Sequence, residues 1–316
     1  MGYTPPFTVT EHISSLCIDI AEMVGRLDVS SELSTNPILH RKLRIRSIHS
    51  SLAIENNQLT EGQVTALLDG KRVLGPAQDI REVENADRAY NLIDSLNPYD
   101  LDDLLYAHRT MMEGLREDAG RFRDGNVGVY DGERLIHAGT PAAYVPEVMA
   151  DLFVWLRSTN IHPLIKSCIF HYEFEFIHPF SDGNGRTGRL WHTLLLSKWR
   201  HVLIWLPIES VILERQAGYY AAINRANSEG SSTRFVTFML EVIRDAITPY
   251  ALPEVKSTDE SRLIDLITKT PYVTVRAMAE QLGMSQRSVE RLLAQMKQEG
   301  KIVREGSSRA GRWVRV

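Results

Sequence analysis

Apolar residues recur at three- and four-residue steps along most of this chain, and this helical period limits the possible folds more than any other sequence feature. Ile13, Leu16 and Ile20, for example, fall on one helix face. The same period predicts helices over residues 11–27, 81–96, 100–115, 145–158, 162–177, 185–199, 212–227 and 233–247, with others starting near Pro37 and after Thr60. So many helices predict an all-α fold class.

One stretch interrupts the helical period. Residues 121–144 are rich in Gly, Asp and Asn, and two β-prone pieces lie within them, at 127–130 and 135–137. The dipeptide Asp131-Gly132 between these pieces is favoured in hairpin turns. We therefore expect a single β-hairpin that projects from a helical body.

The chain has 316 residues, which is enough for more than one domain. Its net charge of −4 is unevenly distributed, because residues 261–316 contain 11 Lys or Arg and only 5 Asp or Glu. A polar, proline-containing stretch precedes this basic end and indicates a linker. The predicted domains are an N-terminal helical region (1–98), a helical core (99–250), a linker (251–258) and a C-terminal unit (259–316).

The C-terminal unit has the spacing of a helix–turn–helix, with helices at 275–282 and 285–298 around Gly283. The segments 301–303 and 312–316 would form the two strands of a wing, so the unit resembles a winged helix–turn–helix. Its basic balance favours contact with DNA phosphates, but winged helices also dock on proteins, and both partners stay open. The residues expected to contact DNA are Gln286, Arg287 and Arg291.

Cysteine content and hydropathy bear on the compartment. Cys17 and Cys168 are too few for a disulfide framework and do not have metal-binding spacing. The sequence has no apolar run of membrane-spanning length, and its first residues lack the pattern of a secretion signal. These features predict a protein of the reducing cytoplasm with no membrane contact.

The segment HPFSDGNGRTGR, residues 178–189, combines groups that bind and transfer phosphate. Gly183 and Gly185 let the backbone approach an anion closely, and the next helix directs its N-terminal N–H groups at the same space. Arg186 and Arg189 are three residues apart, so both can grip phosphate oxygens.

Two further side chains complete this set. A histidine such as His178 has an ordinary pKa near 6.5 and can accept a proton near neutrality. Asp182 offers the hard oxygen ligand that Mg²⁺ prefers. A lone histidine or glycine-rich turn is usually structural, but a base, a metal ligand, an anion site and two arginines together indicate phosphoryl or nucleotidyl transfer.

The segment resembles the signature of the Fic family, HPFx(D/E)GNGRxxR, at every defined position, and the resemblance covers about residues 10–245. It implies a Fic helical bundle with a hairpin flap, and transfer of AMP from ATP to a Tyr, Ser or Thr hydroxyl of a target protein. By this resemblance His178 is the general base and Asp182 holds Mg²⁺. The implied nucleotide-binding residues of the signature are Asp182, Gly183, Asn184, Gly185, Arg186, Thr187, Gly188 and Arg189.

Two regions outside the signature extend the resemblance. The hairpin lies where the family has its flap, which aligns the target as an added strand, although only Pro141 stands where the family has two prolines. Tyr219, Tyr220 and Asn227 resemble the family's adenine-side residues, but the two tyrosines also fit an ordinary core role. The flap residues implied to edge the nucleotide are Leu135, Ile136 and His137.

Residues 51–56, SLAIEN, resemble the family's inhibitory pattern (S/T)xxxE(G/N). By this resemblance, Ser51 and Glu55 at the end of a helix form an inhibitory motif, and Glu55 pairs with Arg189. The pairing would occupy the guanidinium that should hold the γ-phosphate, so the α-phosphate would be misaligned and transfer slowed. The family also implies that this glutamate can orient water for removal of AMP.

Two other functions stay open at this stage. One is a Fic-fold transferase of another phosphate-containing group, as in the Doc relatives, which have a lysine where this chain has Gly185. The other is a DNA-binding regulator whose Fic domain only senses nucleotide, although sensing does not require His178. Relatives of this family often form dimers, so a homodimer is a further expectation.

Overall fold

The computed structural model describes residues 3–30, 32–131, 134–251, 259–306 and 311–315. The chain divides into two compact units, Met1–Leu252 and Pro253–Val316. The larger unit contains both the predicted N-terminal helical region and the predicted helical core. Helices dominate the described residues, which confirms the all-α expectation. None of these helices is both long and apolar enough to cross a membrane.

The helices of the larger unit are α1 (Glu11–Ser30), α2 (Glu32–Thr35), α3 (Pro37–Ile54), α4 (Glu61–Leu68), α5 (Ala77–Asn91), α6 (Leu101–Met112), α7 (Val145–Ser158), α8 (Pro163–Ile177), α9 (Asn184–Trp199), α10 (Ile208–Glu214), α11 (Gln216–Glu229) and α12 (Thr233–Ala251). Local capping explains several of these boundaries. Asn36 accepts hydrogen bonds from the first N–H groups of α3, and Thr60 forms a capping box with Gln63 at α4.

Helix α8 lies at the centre of the larger unit and packs against α7, α9 and α12. It is buried along nearly its whole length, including the rings of Phe170 and Phe174. Burying such a ring stabilises the fold by about 1.5–3 kcal/mol. The residue that follows α8, His178, is therefore attached to one of the most firmly packed elements of the protein.

The predicted β-hairpin is present as strands β1 (Gly128–Asp131) and β2 (Arg134–Ala138), which pair antiparallel. Asp131 is the last residue of β1 and pairs with Arg134. The connection therefore starts one residue later than the predicted Asp131-Gly132 turn, and Gly132 itself lies outside the described residues. The register shifts between Val129 and Tyr130.

The predicted single helix over 212–227 is wrong, because the chain breaks at Arg215 into α10 and α11. Helix α10 packs its buried Ile208 and Ile212 near α3, whereas α11 packs near α12 through a face that includes Ala222. Both helices contact α12 and α10 also contacts α3, so the break at Arg215 lets the two segments pack independently.

The smaller unit consists of α13 (Asp259–Lys269), α14 (Val275–Leu282), α15 (Gln286–Gln298) and the antiparallel strands β3 (Ile302–Glu305) and β4 (Arg312–Arg315). It has its own apolar core, which includes Val289 and Leu293 of α15. Ser285 caps α15 as expected, and Gly283 has φ 66° in the turn before it. The elements occupy the predicted positions, while their interpretation as a winged helix stays a prediction. Most of the predicted linker, residues 252–258, lies outside the described residues.

Candidate functional site

The turn between α8 and α9 carries the predicted chemistry, and two residues with positive φ shape it. His178 follows α8 with φ 52° and ψ 62°, and its N–H donates to the carbonyl of Phe174. Gly183 precedes α9 with φ 81°. A left-handed conformation costs a non-glycine residue roughly 1–2 kcal/mol, so neighbouring contacts must hold His178 in place.

Arg123 supplies these contacts, and sequence reasoning did not identify it. Its Nε donates to the carbonyl of His178 at 2.7 Å, and its backbone N–H donates to the carbonyl of Pro179 at 3.1 Å. The same guanidinium donates to the carbonyls of Gly125 and Thr140, which flank the hairpin. Burial lowers the pKa of Arg123 from its ordinary value. Nothing in the local pattern distinguishes this arginine from exposed Arg121.

The predicted anion site lies at the first turn of α9, where Gly183 provides no side-chain cap. N–H groups in a first helical turn have no partner within the helix and can bind an anion. A methyl group on Gly185 would lie 2.3 Å from Oε1 of Glu55 and 2.9 Å from Nη1 of Arg189, so only glycine leaves this space open. The side-chain amide of Asn184 makes two 2.9 Å hydrogen bonds with the backbone of Phe180 and closes the turn, while its predicted contact with nucleotide stays a prediction.

The predicted pair between Glu55 and Arg189 is present. Arg189 is buried, and its Nη2 donates to Oε1 of Glu55 at 2.8 Å, where the Glu55 side chain is one third exposed. Ser51 binds the same guanidinium twice, through its hydroxyl at 3.0 Å from Nε and its carbonyl at 2.8 Å from Nη2. Glu55 is the C-cap of α3, and Asn56 follows with φ 68°. The two predicted inhibitory residues therefore converge on the predicted γ-phosphate clamp.

A second carboxyl group, that of Glu175 on α8, interacts electrostatically with Arg189. Burial raises the pKa of Glu175 to about 8, so this group is largely protonated at neutral pH. Burial alone would lower the pKa of Arg189, but chiefly Glu55, with Tyr219 and Glu175, reverses the shift and raises it. Among the described residues, Glu55 is therefore the main electrostatic partner of Arg189.

Arg186 is also paired with carboxylates. Its Nη2 donates to Oδ1 of Asp182 at 2.9 Å, and its Nη1 lies 3.2 Å from Oε1 of Glu82 on α5. Glu82 is nearly buried and accepts a 2.8 Å hydrogen bond from Asn57, two residues after Glu55. Among the described residues, Nε of Arg186 has no acceptor, although it is buried. An anion in the turn would supply one. Sequence reasoning missed Glu82, because no local pattern connects α5 to the signature.

His108 on α6 contacts the turn at Asp182 and Phe180, and sequence reasoning did not identify it either. Gly120 N–H donates to its Nδ1 at 2.9 Å, so Nε2 carries the proton and donates to the carbonyl of Asp182, also at 2.9 Å. The ring stacks on Phe180 with 3.6 Å between centroids. Burial lowers the pKa of His108 to about 4, so the ring is neutral and both nitrogens position backbone.

Thr187 and Gly188 follow Arg186 in α9, the helix that packs against α8. Thr187 is fully buried. A methyl group on Gly188 would lie 2.7 Å from Oε1 of Glu175 and 3.0 Å from the ring of Phe174. Their predicted contact with nucleotide stays a prediction, and the contacts seen are those of helix packing.

The adenine-side predictions fall into two groups. Tyr219 is 2% exposed, and its hydroxyl lies 3.1 Å from Nε2 of buried His171, which is the arrangement of a core residue. Asn227 instead lines a cavity of about 220 Å³, where its Oδ1 accepts from the hydroxyl of Tyr172. Tyr220 is 42% exposed.

The hairpin lies beside this region, since β2 contacts α11, the helix that carries Tyr219 and Asn227. Strand β2 contains the three predicted flap residues, Leu135, Ile136 and His137. Gly139 N–H donates to the carbonyl of Val127 at 3.1 Å and closes the base of the hairpin.

Asp182 can serve as the predicted Mg²⁺ ligand. Its side chain is 47% exposed and lines a cavity of about 440 Å³ together with Glu82 and Gln78. In the described part of the chain no cluster of three or more His, Cys, Asp or Glu forms a ready metal site. This arrangement suits Mg²⁺, which binds through one or two carboxylates plus phosphate oxygens brought by the substrate.

The predicted DNA-contacting residues lie on the first turns of α15 in the smaller unit. Gln286, Arg287 and Arg291 are all exposed. Their side chains are therefore free to meet a partner surface, while Val289 and Leu293 face the core of the unit.

Comparison with known proteins identifies a family whose match includes the residues of the α8–α9 turn. The family model described as Fic/DOC matches residues 98–196. A crystal structure of a Fic family protein from Desulfovibrio desulfuricans G20 is 43% identical, covers 99% of this chain and 98% of that chain, and has a TM-score of 0.77. A structure of Fic-1 from Caenorhabditis elegans, 24% identical with a TM-score of 0.57, shares the fold over 76% of this chain and 70% of its own.

Two curated relatives have the printed name protein adenylyltransferase fic-1. That of Caenorhabditis briggsae is 32% identical over 218 residues, which is 64% of this chain and 40% of the relative. That of Caenorhabditis elegans is 31% identical over 241 residues, which is 71% of this chain and 45% of the relative. The matched region thus spans less than half the length of these curated relatives.

Proposed function

Because this chain belongs to the Fic family, we propose that it transfers the AMP group of ATP to a Tyr, Ser or Thr hydroxyl of a target protein. The observation that carries the proposal is the single turn that joins His178 to an anion site bordered by Arg186 and Arg189. Buried Nε of Arg186, which has no acceptor among the described residues, supports an anionic ligand at this turn. The name protein adenylyltransferase, printed for the matched relatives, supports the same reaction.

In the proposed reaction His178 accepts the proton of the target hydroxyl. The hydroxyl oxygen forms a bond to the α-phosphorus of ATP, and the bond from that phosphorus to the β-phosphate bridging oxygen breaks. Pyrophosphate leaves with the electron pair of that bond. A positioned general base contributes about 10²–10⁴-fold to such a transfer.

The other residues bind and orient the triphosphate. N–H groups of the first turn of α9 and the Arg186 guanidinium stabilise the phosphate charge. Arg189 holds the γ-phosphate, and Asp182 would hold Mg²⁺, which neutralises phosphate charge when bound. We place adenine near Asn227, and the target segment along the hairpin as an added strand.

We further propose that the described conformation is an inhibited one. The Arg189 guanidinium donates hydrogen bonds to Ser51 and to the Glu55 carboxylate. A γ-phosphate must therefore displace the Glu55 carboxylate to reach the guanidinium. With Arg189 occupied, the α-phosphate is misaligned, and such misplacement lowers a rate by about a hundredfold.

The test is mass spectrometry of purified protein after incubation with ATP and Mg²⁺, with and without added protein extract. The variants are Glu55→Gly, His178→Ala and the double variant, and the control is Glu61→Gly at an exposed site. We expect an adenylyl mass increment that is weak in the parent, about a hundredfold stronger in Glu55→Gly and absent in both His178→Ala forms.

Other outcomes of this experiment contradict the proposal in distinct ways. A phosphoryl increment would indicate the Doc-like transfer of another group. Binding of ATP with no increment in any form would favour a nucleotide-sensing regulator. Equal labelling of parent and Glu55→Gly would remove the inhibitory role and leave AMP transfer intact.

For the smaller unit we propose that it is a winged helix that contacts DNA phosphates, because α15 exposes two arginines beside Gln286. Binding of the full chain to duplex DNA should weaken with salt, with a log–log slope of about −0.9 per phosphate contact. Arg287→Ala with Arg291→Ala should reduce that slope by about 2, whereas Arg234→Ala, exposed on α12, should not. Unchanged DNA binding in the double variant would mean that α15 does not make the contacts, and no DNA binding by the parent would favour a protein-docking role.

A further inference from the structure

Arg123 is a buried cation that is bound to backbone carbonyls. It is 4% exposed, and no carboxylate lies within ion-pair distance of it among the described residues. Buried arginines normally have such a partner, because an uncompensated buried charge is costly. The unusual partner set therefore calls for a functional explanation.

The acceptors of Arg123 belong to three places in the chain. In the turn after α8, Nε donates to the carbonyl of His178 at 2.7 Å and Nη2 to that of Ile177 at 3.3 Å. Before β1, Nη1 donates to the carbonyl of Gly125 at 2.8 Å. After β2, Nη2 also donates to the carbonyl of Thr140. One side chain thus binds both ends of the hairpin and the carbonyl of the proposed base.

The geometry of these bonds requires a guanidinium. Its donors are fixed in a planar fork, so carbonyls bound to it keep a defined spacing and direction. A lysine ammonium is a compact point charge and cannot reach the same three places at once. His178 needs such restraint more than a residue with an ordinary backbone does, since it has the left-handed φ of 52°.

We propose that Arg123 is a positioning residue that couples the hairpin to His178, so that a target strand docked on the hairpin meets the imidazole in one fixed geometry. This inference rests on the proposed transfer of AMP to a protein hydroxyl. Arg123 touches neither ATP nor the target in this scheme. It acts through the carbonyl of His178 and through the base of the hairpin.

The position of Arg123 predicts a separation between nucleotide binding and transfer. The triphosphate contacts of the proposed site, Arg186 and Arg189, lie on α9 and do not involve Arg123. Loss of the Arg123 side chain should therefore leave ATP affinity nearly unchanged. It should lower kcat and raise the KM for the target protein, because both the base and the docking strand lose their alignment.

The experiment compares Arg123→Lys and Arg123→Ala, each in the Glu55→Gly form, with Arg121→Ala as the matched control. Arg121 is exposed and lies two residues away, and its side chain donates only to the carbonyl of Glu117 among the described residues. Relative to Glu55→Gly alone, we expect kcat to fall about a hundredfold in both Arg123 variants, with ATP affinity by calorimetry unchanged within about threefold. Arg121→Ala should match Glu55→Gly alone in both measurements.

Two further readouts do not depend on AMP transfer. Amide exchange at Gly139, whose N–H closes the base of the hairpin, should accelerate at least about tenfold in the Arg123 variants. The imidazole resonances of His178, followed by NMR in isotope-labelled histidine, should change their chemical shift and broaden in the same variants.

Chemical rescue is a separate test that does measure AMP transfer. Millimolar guanidinium should partly restore transfer to Arg123→Ala, and sodium chloride of equal ionic strength should not.

The inference is overturned if Arg123→Lys transfers AMP as fast as Arg121→Ala, or if exchange at Gly139 stays unchanged. It is also overturned if ATP affinity, transfer and melting temperature fall together, since that pattern marks a merely structural arginine. If Arg123→Ala does not fold, Arg123→Lys still decides the question. If the Glu55→Gly form proves inactive in AMP transfer, the exchange and NMR measurements test the coupling separately from the proposed reaction.

Discussion

The two ends of the α8–α9 turn are held by different chemistry. At the histidine end, Arg123 binds the carbonyl of His178, and His108 binds the carbonyl of Asp182. At the arginine end, carboxylates of Glu55 and Glu82 pair with the guanidinium groups. Among the described residues, the only non-glycine positions with positive φ are His178 at one end and Asn56, beside Glu55, at the other.

This difference matches what each end must do in the proposed reaction. The carbonyls of His178 and Asp182 belong to the backbone, so the bonds from Arg123 and His108 restrain the course of the chain at the proposed base. A carboxylate on a side chain can be displaced by a phosphate, which presents the same kind of oxygen to the same donors. The contacts at the histidine end thus restrain the backbone, whereas the ion pairs at the arginine end can be exchanged for contacts with phosphate.

The largest expected effect tests the histidine end through pH. Folding lowers the pKa of His108 from 6.5 to about 4, so the unfolded chain binds more protons between these values. The contribution to the free energy of unfolding is full above pH 6.5 and falls by about 3 kcal/mol as the pH decreases to 4. Chemical denaturation of parent and His108→Gln over this range should show that difference in slope, because other buried histidines contribute equally to both proteins. His201→Gln, at an exposed site, should keep the parental slope.

The next effect tests whether the arginine end needs open space. Gly185→Ala in the Glu55→Gly form places a methyl group 2.9 Å from Nη1 of Arg189, where a phosphate should bind. We expect AMP transfer to fall about a hundredfold, with ATP affinity falling in parallel. Gly25→Ala in α1 meets nothing within 4 Å and should have no effect on either quantity. Full activity in Gly185→Ala would mean that phosphate does not approach this backbone.

A smaller effect tests the exchange of partners at Arg186. Glu82→Gln removes a carboxylate from a nearly buried pair, so the free energy of unfolding should fall by about 2 kcal/mol. Inorganic triphosphate should bind this variant more tightly than the parent, because it no longer competes with the carboxylate. Denaturation and calorimetric titration measure the two changes. Glu84→Gln, on the same helix with a 3.9 Å pair to Arg81, is the control. Weaker triphosphate binding in Glu82→Gln would show that Glu82 orients Arg186 instead of competing for it.

The smallest effect concerns the left-handed residue beside Glu55. Asn56→Ala should lower the free energy of unfolding by about 1 kcal/mol, since asparagine tolerates positive φ better than alanine. The control is exposed Gln58→Ala, which keeps a permitted backbone. Amide exchange near His178 should stay unchanged in Asn56→Ala, and acceleration there would mean that the two ends are not independent.

Sequence reasoning recovered the parts of the site that are local in the chain. The signature places His178, both glycines and both arginines within a dozen residues, where helix geometry alone brings them together. The Glu55–Arg189 pair was reached across 134 positions only because a family pattern named both partners.

The parts that were missed are distant and chemically ordinary. Arg123 and His108 reach the turn across 55 and 74 positions, and each is one of many similar residues. Glu82 has the same character on α5. The break at Arg215 was missed because it contains no glycine or proline and follows from the different packing of α10 and α11. Such contacts become visible only when the helices are packed.

The position of Glu55 at the end of α3 has a consequence for how quickly the site can open. The helix stops at this residue, and left-handed Asn56 turns the chain away, so the carboxylate sits on a terminus. Leaving Arg189 then requires rotation about side-chain bonds, which takes picoseconds to nanoseconds, and not the microsecond movement of a packed helix. Under the inhibition proposed above, we expect the open form to be sampled many times within one catalytic cycle. The basal rate of AMP transfer should then reflect the equilibrium fraction of the open form and not a slow opening step.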